Sequence, residues 1–138
     1  MLTIRIALAL VALLLAVDSW AQVIDEYSGL ETYQRFCASC HGPTGTGDGP
    51  VAPAIPIPVP NLTRLEVRDG DDFDEELLRK IIDGRQPVIF HGTRYMPVWG
   101  YEFWVEEGAD DEAQERVDII VRNLVDYIRS IQVEAADG

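Results

Sequence analysis

Cysteine, histidine and methionine are all scarce in this chain, and basic residues are heavily outnumbered. The 138 residues include two of each of the first three types, and one of the methionines is Met1. Acidic residues number 24 against 11 Lys and Arg, which gives a formal net charge of -13. Such a surface repels phosphates, so nucleic acid is excluded as a partner. It suits a protein partner with a basic docking face, and solubility alone would also explain it.

No apolar run is long enough to cross a membrane, which takes about 20 residues. The longest run, residues 6–17, follows Arg5 and is followed by Ser19-Trp20-Ala21, with small residues at the two positions that a signal peptidase recognises. We therefore expect residues 1–21 to be a secretory signal peptide cleaved after Ala21, with an uncleaved anchor as the alternative. The mature chain, residues 22–138, would then lie in the periplasm without a membrane span.

Hydrophobic spacing predicts one all-α domain with three main helices and no strand. The helices are expected over residues 28–41, 72–83 and 111–131. Ser28 and Glu31 have the spacing of a capping box at the start of the first helix. Asp72 is expected to cap the second helix and Gly84 to end it.

The connections between these helices are unusually long for a small domain. Five prolines within residues 50–60 favour an extended, polyproline-like chain, and residues 85–104 are predicted to be a loop rich in aromatic residues. Residues 22–27 are expected to be a short leader and residues 133–138 a frayed tail. Three helical stripes alone make a thin core, so the loops need something further to pack against.

Both cysteines lie in Cys37-Ala38-Ser39-Cys40-His41, which is the pattern that attaches haem c. Two thiols three residues apart on a helix face the same side, so both can reach the vinyl groups of one porphyrin. His41 is four residues after Cys37 and can bind the iron below the ring. The sequence thus predicts one covalent haem c on Cys37 and Cys40, with His41 as an axial ligand.

Other uses of the cysteine pair fit less well. A thioredoxin-like dithiol starts a helix after a strand, whereas this pair is predicted at a helix end. A zinc site needs two ligands besides the cysteines, and only His41 and His91 offer imidazoles. A disulfide between Cys37 and Cys40 would close too small a loop to constrain the unfolded chain much.

After the predicted cleavage, Met96 is the only methionine, and Pro97 stiffens the aromatic loop that contains it. We expect its thioether to be the second axial ligand, with His91 as the competing ligand. Met ligation raises the redox potential and closes the iron to oxygen. This favours electron transfer over catalysis, so no enzymatic activity is expected.

Along most of its mature length the chain resembles the class I monohaem c-type cytochromes of bacterial periplasms. In that family a glycine and an aromatic residue lie eight and four residues before the first haem cysteine, and Gly29 and Tyr33 match them. An aliphatic and an aromatic residue in the last helix match Leu124 and Tyr127. The resemblance implies the cytochrome c fold, with long loops wrapped around one haem and the first and last helices crossing at Gly29.

The resemblance also covers the segments expected around the haem. Pro60-Asn61-Leu62 matches the family's proline segment, whose backbone carbonyl orients the haem-binding histidine. Met96-Pro97-Val98-Trp99-Gly100 matches its axial-methionine region, and Tyr95 stands where similar proteins often have Glu. Candidate haem contacts are therefore Pro60, Tyr95, Trp99, Phe90, Leu62 and Val98, with Arg85 either near a propionate or simply solvated.

These features together predict a periplasmic one-electron carrier that exchanges electrons with redox protein partners. One alternative is a haem c subunit of a periplasmic dehydrogenase or oxidase complex. The other is a small haem enzyme or sensor in which Met96 can be displaced from the iron.

Overall fold

The computed structural model describes residues 27–65, 73–85 and 95–133. Within these three ranges the chain forms five α-helices and two short 3-10 turns, and no strand, which confirms the predicted all-α class. The helices are α1 (Gly29–Phe36), α2 (Ala38–His41), α3 (Glu75–Asp83), α4 (Trp99–Glu106) and α5 (Asp111–Ser130). The 3-10 turns are Ala52–Ala54 and Leu62–Arg64.

Helix α5 is the element on which α1, α3 and α4 all pack. Its buried residues recur every three or four positions, and they are Ala113, Val117, Ile120, Val121, Leu124, Val125 and Ile128. Asp110 caps its start, since the carboxylate accepts a bond of 2.7 Å from the amide of Ala113. Burying each of the larger aliphatic side chains stabilises the fold by about 1.5–3 kcal/mol. The predicted helix, residues 111–131, is one residue longer than the observed one.

Helices α1 and α5 cross closely, as the resemblance implied. Gly29 faces the backbone of α5 at Asn123. Tyr33 is fully buried, and its ring centroid lies 5.0 Å from that of Tyr127. The Asn123 side chain donates a hydrogen bond of 2.6 Å to the carbonyl of Tyr27, just before α1. This crossing fixes the segment that leads directly into Cys37.

The starts of α1 and α3, which correspond to the first two predicted helices, differ from the prediction. Ser28 precedes α1 but makes no side-chain capping bond in the described structure, so the expected capping box is wrong. Helix α3 begins at Glu75 with Asp74 as its cap, because the Asp74 carboxylate accepts a bond of 2.9 Å from the amide of Leu77. Gly84 does end this helix, in the left-handed conformation with φ 67°.

Helix α4 was not predicted, because residues 85–104 were expected to form a loop throughout. Its sequence is apolar on most sides, so it lacks the polar face from which an amphipathic helix is recognised. Phe103 is only 2 % exposed and joins the hydrophobic core. The helix therefore supplies part of the apolar mass that the three predicted stripes lacked.

The proline-rich segment and the C-terminal end are also more ordered than expected. The 3-10 turn Ala52–Ala54 interrupts the predicted polyproline-like stretch. Val133, the first residue of the predicted frayed tail, donates a backbone bond of 2.9 Å to Thr63. The predicted signal peptide, most of the leader, the rest of the tail, and Asp72, Phe90 and His91 lie outside the described residues.

None of the helices in the described part of the chain combines the length and the hydrophobicity needed to span a membrane.

Candidate haem site

The Cys-x-x-Cys-His motif occupies a single turn at the end of α1. The amide of Cys37 still bonds to the carbonyl of Tyr33, at 2.9 Å. The Cys37 carbonyl in turn accepts bonds from the amides of Cys40 and His41, at 3.1 and 2.9 Å, and so closes the short helix α2. Both thiols are free and partly exposed. One compact turn thus presents two thiols and an imidazole.

The loop that follows returns over this turn and holds it through backbone hydrogen bonds. Three successive carbonyls of the motif accept bonds from it: His41 from the Gly47 amide at 2.8 Å, Cys40 from Gly49 at 3.2 Å and Ser39 from Val51 at 3.0 Å. A Cβ on Gly49 would overlap the carbonyl of Ser39, so only glycine permits this approach. Residues 42–51 therefore immobilise the motif from outside.

The imidazole of His41 has a fixed orientation. Its Nδ1 lies 3.2 Å from the carbonyl oxygen of Pro60, so Nδ1 carries the proton and donates. This tautomer leaves Nε2 for a metal. Burial lowers the pKa of His41, against the smaller opposing influence of the Pro60 hydrogen bond. Burial therefore favours the neutral imidazole, which is the form that can bind a metal.

Pro60 itself belongs to a well-anchored segment. Asn61 caps the 3-10 turn that follows, since its side chain accepts bonds from the amide and the hydroxyl of Thr63, at 2.9 and 2.7 Å. The amide of Leu62 donates to the carbonyl of Gly45 at 2.7 Å, and the Leu62 side chain enters the core. The carbonyl that faces His41 is thus tied to both the loop and the core.

Met96 is half-buried, and like Cys37 it packs against the hydrophobic core. It stands three residues before Trp99, which begins α4. The Trp99 ring packs on Phe36 and Phe103 with centroids 5.5 Å from each, and those two rings are 5.2 Å apart. These three rings, the aromatic trio, join the segment before Cys37 to the segment after Met96.

The other predicted haem contacts lie in different settings. Tyr95 is 46 % exposed, and Trp99 is half-buried in the aromatic trio. The guanidinium of Arg85 bonds to Asp83 at 2.7 Å and to Gln114 at 2.6 Å. Their roles at a haem stay predictions.

The side chains of the motif fit a haem c and do not suit a thioredoxin-like dithiol or a zinc site. Burial, with a smaller contribution from neighbouring Cys40, raises the pKa of Cys37 to about 12. A thioredoxin-like dithiol needs a lowered thiol pKa, so this environment does not favour one. Across residues 27–65, 73–85 and 95–133, no group of three or more His, Cys, Asp or Glu side chains could hold a metal ion by itself. Two free thiols, an oriented imidazole and a half-buried setting are what a porphyrin requires.

Sequence reasoning missed the parts of the site that support the motif. The backbone donors Gly47, Gly49 and Val51 were not predicted, because a loop amide carries no signal in the residue type. Phe36 and Phe103 were missed as well. The spacing of four between Trp99 and Phe103 was the one available sign that both lie on the same face of a helix.

A sequence-family model described as "Cytochrome C oxidase, cbb3-type, subunit III" matches residues 25–114, which is 90 of the 138 residues. The matched range includes the Cys-x-x-Cys-His motif, the loop that covers it, Met96 and helix α4. No curated protein and no solved structure matches the chain. Because the family match covers well over half of its length, the chain belongs to this family of c-type cytochrome domains, which carry haem c and transfer electrons.

Proposed function

We propose that the protein is an exported one-electron carrier. Cys37 and Cys40 hold one covalent haem c, and His41 and Met96 are its axial ligands. The observation that carries the proposal is the 3.2 Å contact between His41 Nδ1 and the Pro60 carbonyl. This contact orients the ring and leaves Nε2 as the nitrogen that could bind a metal, as in metal-binding histidines.

When bound, the haem supplies a single iron that alternates between the ferric and ferrous states by gaining or losing one electron. The chain does the rest. The sulfur atoms of Cys37 and Cys40 anchor the group by thioether bonds, and the loop at residues 42–51 keeps their turn rigid. The described helices bury a modest core, so Cys37 and Cys40, by holding a porphyrin against it, would add apolar contact area worth about 25 cal/mol for each Å² removed from water.

The two axial ligands set the redox behaviour. The Pro60 carbonyl makes the His41 imidazole more basic by accepting its Nδ1 proton in a hydrogen bond. With a haem bound, the Met96 thioether would favour the ferrous iron and would leave no open site for oxygen. The transfer of one electron then needs no proton transfer and no movement of a ligand, and this arrangement suits a carrier better than an enzyme.

The partner should present a basic docking face. Exposed carboxylates are concentrated on α4 and the first half of α5: Glu102, Glu106, Asp110, Asp111, Glu112, Glu115 and Asp118. Arg116 bonds to the Glu107 carboxylate at 2.8 Å and lies 3.5 Å from Asp110, so it offsets only part of this charge. Such a surface speeds encounter with a positively charged partner, with a strong dependence on salt.

A second candidate follows from the family description, which names subunit III of a cbb3-type cytochrome c oxidase. On that basis the chain would be a haem c subunit of an oxidase complex, and its acidic surface would face the other subunits. The chemistry at the iron is the same in both cases. What differs is whether the protein leaves its partner between electron transfers.

The first experiment produces the full chain in a bacterium that can attach haem c and analyses the exported protein. We expect a red protein that begins at Gln22 and keeps its colour after acid–acetone extraction. The ferric form should have the weak far-red absorption band that signals a Met–iron bond. A colourless protein, or loss of all haem on extraction, would refute covalent attachment. Rapid binding of added cyanide or carbon monoxide would favour the enzyme or sensor alternative.

The second experiment separates the carrier from the complex subunit. The chain is tagged at its C-terminus, expressed in its native host at its natural level and purified in mild detergent. A carrier should elute alone at high salt, as a single protein of the expected mass. Co-purification of haem-containing oxidase subunits at high salt would instead establish the complex.

A further inference from the structure

Gln132 lies just beyond α5 and links the end of that helix to the 3-10 turn Leu62–Arg64. The side chain makes three hydrogen bonds: Nε2 donates to the carbonyls of Leu62 at 2.6 Å and Ile128 at 2.7 Å, and Oε1 accepts from the amide of Leu65 at 2.9 Å. The next residue, Val133, donates its amide to the Thr63 carbonyl at 2.9 Å. We call these bonds the Gln132 clamp.

The residue type is specific for this task. A glutamine side chain has both a donor and an acceptor, so it can satisfy a carbonyl and an amide of the same turn. Glutamate could not donate to the Leu62 carbonyl, and lysine could not accept from the Leu65 amide. The bond to Ile128 fixes the side chain to α5, and the other two bonds fix the turn to the side chain.

The clamped turn begins two residues after Pro60, whose carbonyl faces His41. The amide of Leu62 also donates to the carbonyl of Gly45, in the loop that covers the motif. The position of the Pro60 carbonyl therefore depends on how the turn is held between this loop and Gln132. The contact with His41 is 3.2 Å, at the long end of the range for N–H···O bonds, so a small shift of the turn would break it.

We propose that Gln132 is a positioning residue for His41. It keeps the Pro60 carbonyl within hydrogen-bond reach of the ring Nδ1–H and so maintains the orientation and basicity of the imidazole. This inference rests on the proposed function, in which His41 binds the iron. Without the clamp, the imidazole becomes a weaker donor of electron density, the ferric state loses stabilisation and the midpoint potential rises.

The test compares Gln132→Leu with Ser130→Ala in the haem-loaded protein. Ser130 lies at the same end of α5, and its hydroxyl bonds to the Tyr127 carbonyl at 2.7 Å, within the helix. For Gln132→Leu we expect a higher midpoint potential and about tenfold faster exchange of the His41 Nδ1 proton, measured by NMR. For Ser130→Ala we expect the potential and the ring-proton exchange of the wild type, because its hydroxyl bonds only within α5. A Gln132→Leu protein that matches Ser130→Ala in both readouts would overturn the proposal.

A measurement on the unaltered protein covers the case in which Gln132→Leu does not fold. The amides of Leu65 and Val133 report opening of the clamp, and the Nδ1 proton reports opening at His41. If the clamp positions the ring, all three protons should have protection factors within about threefold of one another. A ring proton protected far more than the two amides would refute the role. A wild-type protein whose haem lacks a histidine ligand would refute the proposed function itself, which the absorption spectrum reports separately.

Discussion

Gly29 of helix α1 leaves room for the carbonyl oxygen of Asn123 in helix α5. A methyl group at position 29 would overlap that oxygen and lie 3.0 Å from the Cβ of Tyr127. The obstacle is main chain, which cannot move aside as a flexible side chain can. The two helices could then accept a side chain only by separating along the whole crossing.

Gly29→Ala should therefore destabilise the protein by about 1–3 kcal/mol, as overpacking against a rigid neighbour does. The free energy of unfolding, measured by denaturant titration of the haem-loaded protein, tests this. Leu30→Ala is the matched control, because Leu30 is the next residue of the same helix and is 49 % exposed. That variant should stay within about 0.5 kcal/mol of the wild type. Equal stabilities for the two variants would contradict the close crossing.

Met96→Ala should leave the haem attached and lower the midpoint potential. Loss of the thioether removes the ligand that favours the ferrous state, and axial ligands together span about 0.8 V, so a fall on the order of 0.1 V or more is expected. The far-red band of the ferric form should disappear. Val105→Ala, on the helix that follows and 48 % exposed, serves as the control and should keep the band. An unchanged potential in Met96→Ala would refute Met96 as a ligand.

Replacing Cys37 and Cys40 together by Ala should prevent stable folding, because the anchored haem is part of the core. Circular dichroism during heating should show a broad, weak transition for this variant. Ser39→Ala lies between the two cysteines and keeps both thiols, so it should melt cooperatively near the wild-type temperature. A cooperative melt of the double variant would mean that the helices fold without the haem.

The carboxylate of Glu76 should give the protein a pH-dependent stability at acidic pH. Hydrogen bonds from Arg79, and then from Lys80, lower the pKa of Glu76 from 4.5 to about 2. Because the folded-state pKa is depressed, this contribution is complete above pH 4.5 and is lost as the pH falls towards 2. The effect is small, since the pair lies on the surface.

Melting temperatures of wild type and Glu76→Gln test this linkage. At about pH 6 the wild type should melt at a higher temperature than Glu76→Gln. The two melting temperatures should converge as the pH falls to about 2. The substitutions Arg79→Gln and Lys80→Gln together should bring the pKa of Glu76 back towards 4.5, and carboxyl NMR measures it. A pH-independent difference between the two proteins would show that Glu76 contributes by some means other than its charge.

The parts of the molecule that sequence reasoning predicted are those in which residue type and spacing carry the information. Helix α5 has a long apolar stripe, and its observed bounds differ from the prediction by one residue. The match of Gly29 and Tyr33 to a family pattern implied a helix crossing, which the close approach at Asn123 confirms.

Other parts depend on tertiary context and left no such pattern. Helix α4 is apolar on most sides and follows Pro97, so its sequence favoured a loop until the core that it fills was known. The first predicted helix divides at Cys37, a break that no glycine or proline marks. Gln132 falls between the predicted helix, residues 111–131, and the predicted frayed tail, residues 133–138. Nothing in its neighbourhood predicts its three hydrogen bonds.

The loop over the Cys-x-x-Cys-His turn binds it through hydrogen bonds from main-chain amides rather than from side chains. Thr44 and Thr46 are exposed in this loop, whereas Gly45 and Gly49 are buried. Their side chains make none of the main-chain bonds that hold the turn, so substitutions at Thr44 and Thr46 should leave it in place as long as the glycines are kept. The surface of the loop could therefore be altered to suit a different redox partner without changing the hydrogen bonds that hold the haem-binding turn.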